Sequence, residues 1–250
     1  MPKPTFILPS RHTGTDYFIY VAAPGAGAGR GPWPAALFLD GDDQFRPAVA
    51  AYRALRRAKR IPPLLLIGVG YGASYTKPAN RRGRDYTPTP HHYEPTSGGA
   101  DAFLKFLTDE LWPELSRRHR VREDIRGIGG HSLSSLFVLH ALFRTPVFFT
   151  QHLASAPSIW WDDRSILRLA AKRRARRATL AAKLFLGLGT KDTESMAADL
   201  RLFEQQLAAR PFRGLRVTSE KFPGRDHYNS LPVAFRAGLV VLFGTAAPAD

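Results

Sequence analysis

Ile125-Arg-Gly-Ile-Gly-Gly-His-Ser132-Leu-Ser-Ser-Leu-Phe-Val-Leu-His-Ala-Leu-Phe143 is the stretch that decides how this chain is read. Its apolar start, Ile125 to Ile128, has the makings of a buried strand. Its apolar end, Leu133 to Phe143, has the length of a helix. Two glycines, a histidine and Ser132 join them. A serine on so sharp a strand-to-helix turn projects its hydroxyl above the sheet. Small neighbours let the backbone close up, and the first N–H groups of the helix face whatever negative charge develops there. The pattern matches the nucleophile elbow G-x-S-x-G except at its last position, where Ser134 replaces glycine. The plain alternative is a helix capped by a serine. The strand and helix on either side favour Ser132 as a nucleophile and the Leu133 N–H as an oxyanion donor.

The same alternation continues to both sides. Upstream lie an alternating segment, Asp16 to Val21, and the apolar runs Ala35 to Leu39 and Leu64 to Val69. Downstream lie Leu184 to Leu188 and Leu215 to Phe222. Helical patterns fill the intervals at about 47–59, 101–118, 194–209 and 231–243, with Pro113 expected to break the second of them. The glycine-rich stretch 25–31 reads as a hairpin loop after the first strand. Strands that are apolar throughout and alternate with helices indicate a mostly parallel sheet covered on both faces. With the elbow, the expected architecture is a single α/β-hydrolase domain over residues 1–250.

In that fold the triad follows the chain order serine, acid, histidine. Of the eight histidines, only His227 follows the last strand, in a glycine-containing loop, and it is the expected general base. The acid belongs after an earlier strand. Asp192 fits, in the turn after Leu188, where a carboxylate holds the imidazole tautomer. Its alternative role is a helix N-cap, and Glu194 and Asp226 remain as other acids. The second oxyanion N–H is expected from Asp42, in the loop Asp40-Gly41-Asp42-Asp43 after the strand ending at Leu39. Three neighbouring aspartates also suit magnesium, but no further cluster supports a metal site, and no cofactor is expected.

Composition limits the alternatives. The chain has 250 residues, 44% of them hydrophobic, enough for one sizeable core. With no cysteine, catalytic thiols, thiolate metal sites and disulfides are excluded. No segment has a secretory signal pattern or the roughly 18 apolar residues of a membrane span, so a soluble cytoplasmic protein without a membrane partner is expected. The formal charge of +15 argues solubility and association rather than activity. The best basic run, Lys172 to Arg177, sits on a helical pattern without interleaved aromatics, so no nucleic-acid partner is expected. The long segment Tyr71 to Gly99 follows a strand's C-terminal end, where this fold keeps its ligands. Arg84 and Tyr86 within it, with Trp160 and Trp161, are the expected substrate contacts.

Leu39-Asp-Gly-Asp42, Arg84-Asp-Tyr-Thr-Pro88, Gly130-His-Ser-Leu133, Ser155-Ala-Pro-Ser158-Ile-Trp-Trp161 and Asp226-His227 together resemble the esterase family of α/β-hydrolases that holds esterase D, S-formylglutathione hydrolase, mycolyltransferases and enterochelin esterases. The serine-rich turn followed by two tryptophans is most similar to the enterochelin-esterase branch. The resemblance implies Ser132, Asp192 and His227 as triad, the Asp40-Gly41 loop as oxyanion hole, and no cofactor. It departs at Ser134 and Ala156. The implied activity is hydrolysis of a small-molecule carboxylic ester, siderophore-like or aromatic, through an acyl-enzyme. An acyltransferase of the same fold and a catalytically degenerate binding protein are the alternatives.

Overall fold

The structure is a computed structural model that describes residues 3–25 and 27–244. Among the described residues, eight strands form one sheet. They are β1 (Phe6–Pro9), β2 (Asp16–Ala22), β3 (Trp33–Phe38), β4 (Leu65–Gly70), β5 (Val121–His131), β6 (Gln151–Ser155), β7 (Thr179–Gly189) and β8 (Arg213–Phe222). Their spatial order is β1-β2-β4-β3-β5-β6-β7-β8. β3 to β8 run parallel, and β1 and β2 are antiparallel additions at one edge. The α/β-hydrolase architecture expected from the apolar runs is therefore present.

Central strands are apolar on both faces because both faces are covered. β4 and β6 are buried at every position. One face packs against α1 (Gly41–Arg57) and α8 (Leu231–Phe243), where Phe38, Phe45, Tyr52 and Phe235 meet. The other face carries α3 (Ala100–Lys105), α4 (Trp112–Arg118), α5 (Leu133–Phe143), α6 (Trp161–Arg176) and α7 (Glu194–Ala209). α5 is buried nearly all round, so its sequence shows no amphipathic stripe.

Three expectations change. The stretch 25–31 is not a hairpin loop. β2 pairs with β1 and β4, while β3 lies beyond β4, so this segment crosses to a non-adjacent strand; residue 26 of it lies outside the described residues. The first helix begins at Gly41 rather than near Pro47, which sits inside it. Asp40 in the left-handed region (φ 51°) makes the turn. Gly41 then lies so close to the next strand that a Cβ would meet Val69 N at 2.8 Å. In the segment 101–118, the break at Pro113 takes the form of a π-helical stretch, Phe106–Leu111, between α3 and α4. Widening the helix just before a proline accommodates its missing N–H and its clash with the carbonyl four residues back.

Candidate active site

β5 ends and α5 begins at Ser132, whose φ of 61° and ψ of −122° lie outside the regions that serine ordinarily occupies. The surroundings hold it there. Ser132 N donates to Ser155 O at 2.9 Å. Ser135 Oγ donates to Gly130 O at 2.8 Å and Ser155 O at 2.7 Å. A Cβ on Gly130 would meet Ser134 Oγ at 2.7 Å, so that position tolerates nothing larger. Ser134, the departure from the glycine pattern, is fully buried. Its hydroxyl accepts from His131 N at 2.9 Å and donates to His131 O at 2.8 Å, fastening the elbow from inside.

Two loops bring Asp192 and His227 together. The turn after β7 is tied to the loop after β8 by Thr190 N to Phe222 O at 3.0 Å and Lys191 N to Arg225 O at 2.8 Å. Asp192 Oδ2 lies 2.9 Å from His227 Nδ1, with the carboxylate almost fully buried and the imidazole about a quarter exposed. Asp192 is not the N-cap of α7. That role belongs to Thr193, which accepts from Met196 N at 3.2 Å. Asp226 bonds Tyr228 N, Asn229 N and Asn229 Nδ2 within its own loop, and Glu194 is exposed in the first turn of α7. Of the three acids read from the sequence, Asp192 is the one that reaches His227.

Ser132 and His227 line the same cleft, of about 360 Å³, together with His131, Tyr75, Arg82 and Tyr228. His131 bonds Ser155 Oγ through Nδ1 at 2.9 Å, and its ring centroid is 4.7 Å from that of His227. Burial, and secondarily repulsion from His227, push its pKa down to about 3, so it stays neutral beside His227. Arg82 donates from Nε and a terminal nitrogen to the two oxygens of buried Asp40, at 3.0 and 2.9 Å. Burial opposes its charge, but attraction and hydrogen bonding from Asp40 outweigh that and raise its pKa.

The expected substrate contacts are placed elsewhere. Arg84 bonds Asp85 at 2.7 Å, Thr13 O at 3.2 Å and Thr15 Oγ1 at 2.8 Å, so it holds the β1–β2 connection. Tyr86 is fully buried and its hydroxyl accepts from Asp40 N at 3.0 Å. Trp161 is buried and donates to Thr89 O at 3.2 Å. Trp160 is 45% exposed at the start of α6 but does not line the cleft. Arg82, Tyr75 and Tyr228 line the cleft instead. The arginine cluster signalled the right loop, but nothing in the sequence distinguishes the arginine facing the cleft from the one facing the core.

Asp40, Asp42 and Asp43, at the turn into α1 and in its first turn, have separate duties. Asp42 accepts from Tyr20 OH at 2.5 Å and Tyr71 N at 2.6 Å, Asp40 takes Arg82, and Asp43 accepts from Tyr75 N at 2.9 Å. Among the described residues no group of three or more acidic or histidine side chains is placed to hold a metal ion. Asp42 is the second residue of α1, a position whose N–H has no partner four residues back in the helix. Asp43 and Gln44, the next residues along, line the cleft.

A mostly parallel sheet, a strained serine between a strand and a buried helix, and an aspartate–histidine pair across the same cleft define a serine hydrolase of the α/β-hydrolase fold. Residues 10–241 match the family described as "Putative esterase", and the chain belongs to it; it is a serine carboxylic-ester hydrolase of the enterochelin esterase-like group. It is 28% identical to the ferri-bacillibactin esterase BesA of Bacillus subtilis, over 91% of this chain and 84% of that one. It is 36% identical to a siderophore enterobactin esterase of Emericella nidulans, over 60% of this chain and 53% of that protein. Among solved structures, the BES protein of Bacillus cereus superposes with a TM-score of 0.85 at 24% identity, covering 95% of this chain and 93% of that one. The siderophore hydrolase EstB of Aspergillus nidulans gives 0.82 at 24%, covering 97% and 96%. No helix among the described residues is long and apolar enough to cross a membrane.

Proposed function

We propose that this chain hydrolyses the backbone esters of a siderophore, with Ser132 as nucleophile, His227 as general base and Asp192 as the acid that orients it. The observation that carries the reading is the 2.9 Å contact between Asp192 and His227 beside the strained Ser132 elbow. A carboxylate on Nδ1 leaves Nε2 unprotonated and free to act. His227 takes the proton of Ser132 Oγ as that oxygen attacks the ester carbonyl. The N–H groups of Leu133 and Asp42 receive the oxyanion. The C–O bond to the alcohol breaks, and His227 returns the proton to the leaving oxygen. Water, deprotonated by His227, then releases the acid and restores the serine.

The substrate class rests on the curated relatives, named as esterases of bacillibactin and enterobactin. It also rests on the cleft, where cationic Arg82 stands with the exposed rings of Tyr75 and Tyr228. Aromatic faces and a planar cation suit catechol rings and their oxygens. The test follows trilactone hydrolysis by liquid chromatography and labelling by a fluorophosphonate probe. Ser132→Ala is expected to lose the label and roughly 10⁴- to 10⁶-fold in kcat. Near-native turnover by that variant would overturn the nucleophile. Turnover of simple aryl esters with an intact trilactone would overturn the substrate class.

A further inference from the structure

The basic run Lys172 to Arg177 takes no part in the hydrolytic cleft. It ends α6 and forms one wall of a second groove, of about 870 Å³. The other walls come from α3 with the π-helical stretch and from the end of α5. Lys105, Arg144, Lys172, Arg173, Arg176 and Arg177 all line it, over a floor that includes Leu104, Phe143 and Phe148. Among the described residues, only two carboxylates, Asp101 and Asp109, line the groove with them. Asp101 is taken by His140 and Arg144, and Asp109 lies 3.5 Å from His12. Among the described residues, Lys105, Lys172, Arg173, Arg176 and Arg177 form no ion pair at all.

Arg173 makes the groove more than a solvated surface. Its residue is only 6% exposed. Two of its nitrogens donate to the carbonyls of Arg177, at 2.5 Å, and Thr179, at 2.9 Å, while Nε is buried without an acceptor. A buried guanidinium without a counter-ion is costly. Burial, and secondarily repulsion from Arg177, lower its pKa. The negative end of the α6 dipole accounts for part of the clustering. It does not account for Lys105 and Arg144, which reach the same groove from other elements.

We propose that this groove binds a small ligand carrying two or more phosphate groups. Cations converging from three elements on one concavity need a compact ligand of high charge, and each phosphate brings up to two negative charges. Arginine forks match its oxygens in pairs. The volume falls within the range of small-molecule sites, whereas a nucleic acid tracks an extended cationic stripe with stacking aromatics. The groove is a site apart from the hydrolytic one. Ser132 opens α5, and Phe143 and Arg144, at its far end, line the groove about 16 Å away.

Tripolyphosphate, titrated calorimetrically into the full chain at low salt, tests this. Saturable one-to-one binding is expected, weakened about tenfold or more in K172E/R176E and in R173Q. Hydrolysis of p-nitrophenyl acetate should match the wild type in K172E/R176E, which shows that the variant folds and carries the test if R173Q does not. Four results would each overturn the proposal: no saturable binding, equal binding by a folded K172E/R176E, citrate binding as tightly as tripolyphosphate, or a 20-nucleotide RNA binding more tightly than tripolyphosphate.

Discussion

Individual side chains divide the acids and the arginines of this chain into workers and supports. Asp192 contacts the histidine and Glu194 faces solvent. Asp192→Asn is therefore expected to lower kcat by about 10³ to 10⁴, because an amide on Nδ1 favours the wrong tautomer. Glu194→Gln should leave kcat unchanged. Steady-state kinetics decides, and a crippled Glu194→Gln with an active Asp192→Asn would reverse the assignment. The arginines separate in the same way. Arg84 pairs with fully buried Asp85, which also accepts from Tyr17 and Tyr71. Removing one partner of such a pair leaves a buried charge, so Arg84→Ala should cost about 3 kcal/mol in urea denaturation. Its KM for an anionic aromatic ester, and the salt dependence of that KM, should not move. An altered KM at unchanged stability would return Arg84 to the substrate site.

At the level of the element, the elbow is an interlocking unit rather than a serine placed on a turn. The hydroxyl of Ser134 spans His131 N and O, and Gly130 has no room for a Cβ because Ser134 fills it. A serine here thus does work that glycine cannot do. Ser134→Ala leaves the buried His131 N–H without its acceptor, an effect of about 1–3 kcal/mol, while the backbone path stays open. Gly130→Ala forces the helix start away from the strand. The expected outcome is lower stability with near-normal kcat for Ser134→Ala, and loss of both for Gly130→Ala. Thermal unfolding alongside ester turnover measures this, and a fully active, stable Gly130→Ala would show that the elbow has slack.

Across the whole molecule, stability depends on burying three histidines in neutral form. Burial pushes the pKa of His152 down to about 3, that of His140 to about 4 and that of His131, with help from His227, to about 3. Each folded value lies below that of the unfolded chain, so the unfolded state binds more protons as pH falls below about 6.5. Their contribution is complete above that pH and is lost progressively down to pH 4 and 3, with each histidine adding about 1.4 kcal/mol per pH unit at most. The melting temperature should therefore fall steadily from pH 7 to 4.5. His152→Leu, remote from the cleft on β6, should flatten the slope by about one proton. An unchanged slope in that variant would mean that His152 is not the neutral, buried group described.

The chain by itself determined the parallel core, the elbow at Ser132 and the chain order that singles out His227. Those features are written locally: an apolar run marks a strand buried on both faces, and a glycine–serine turn between strand and helix has few uses. The Asp192 turn was legible for the same reason, although the preference for Asp192 over Glu194 and Asp226 awaited the 2.9 Å contact across two loops. Tertiary structure alone decided where β2 pairs, why α1 starts at Gly41 and which aromatic and basic side chains meet the cleft. Arg82 and Arg84 are two residues apart in one short helix, α2 (Arg82–Asp85), yet one faces the site and the other braces the β1–β2 connection. Asp40, at the turn into α1, draws Arg82, whereas Thr13 and Thr15, in the β1–β2 connection, draw Arg84. Local periodicity carries strand and helix identity, but the side to which each arginine turns depends on contacts with residues far away in sequence, Asp40 for Arg82 and Thr13 and Thr15 for Arg84.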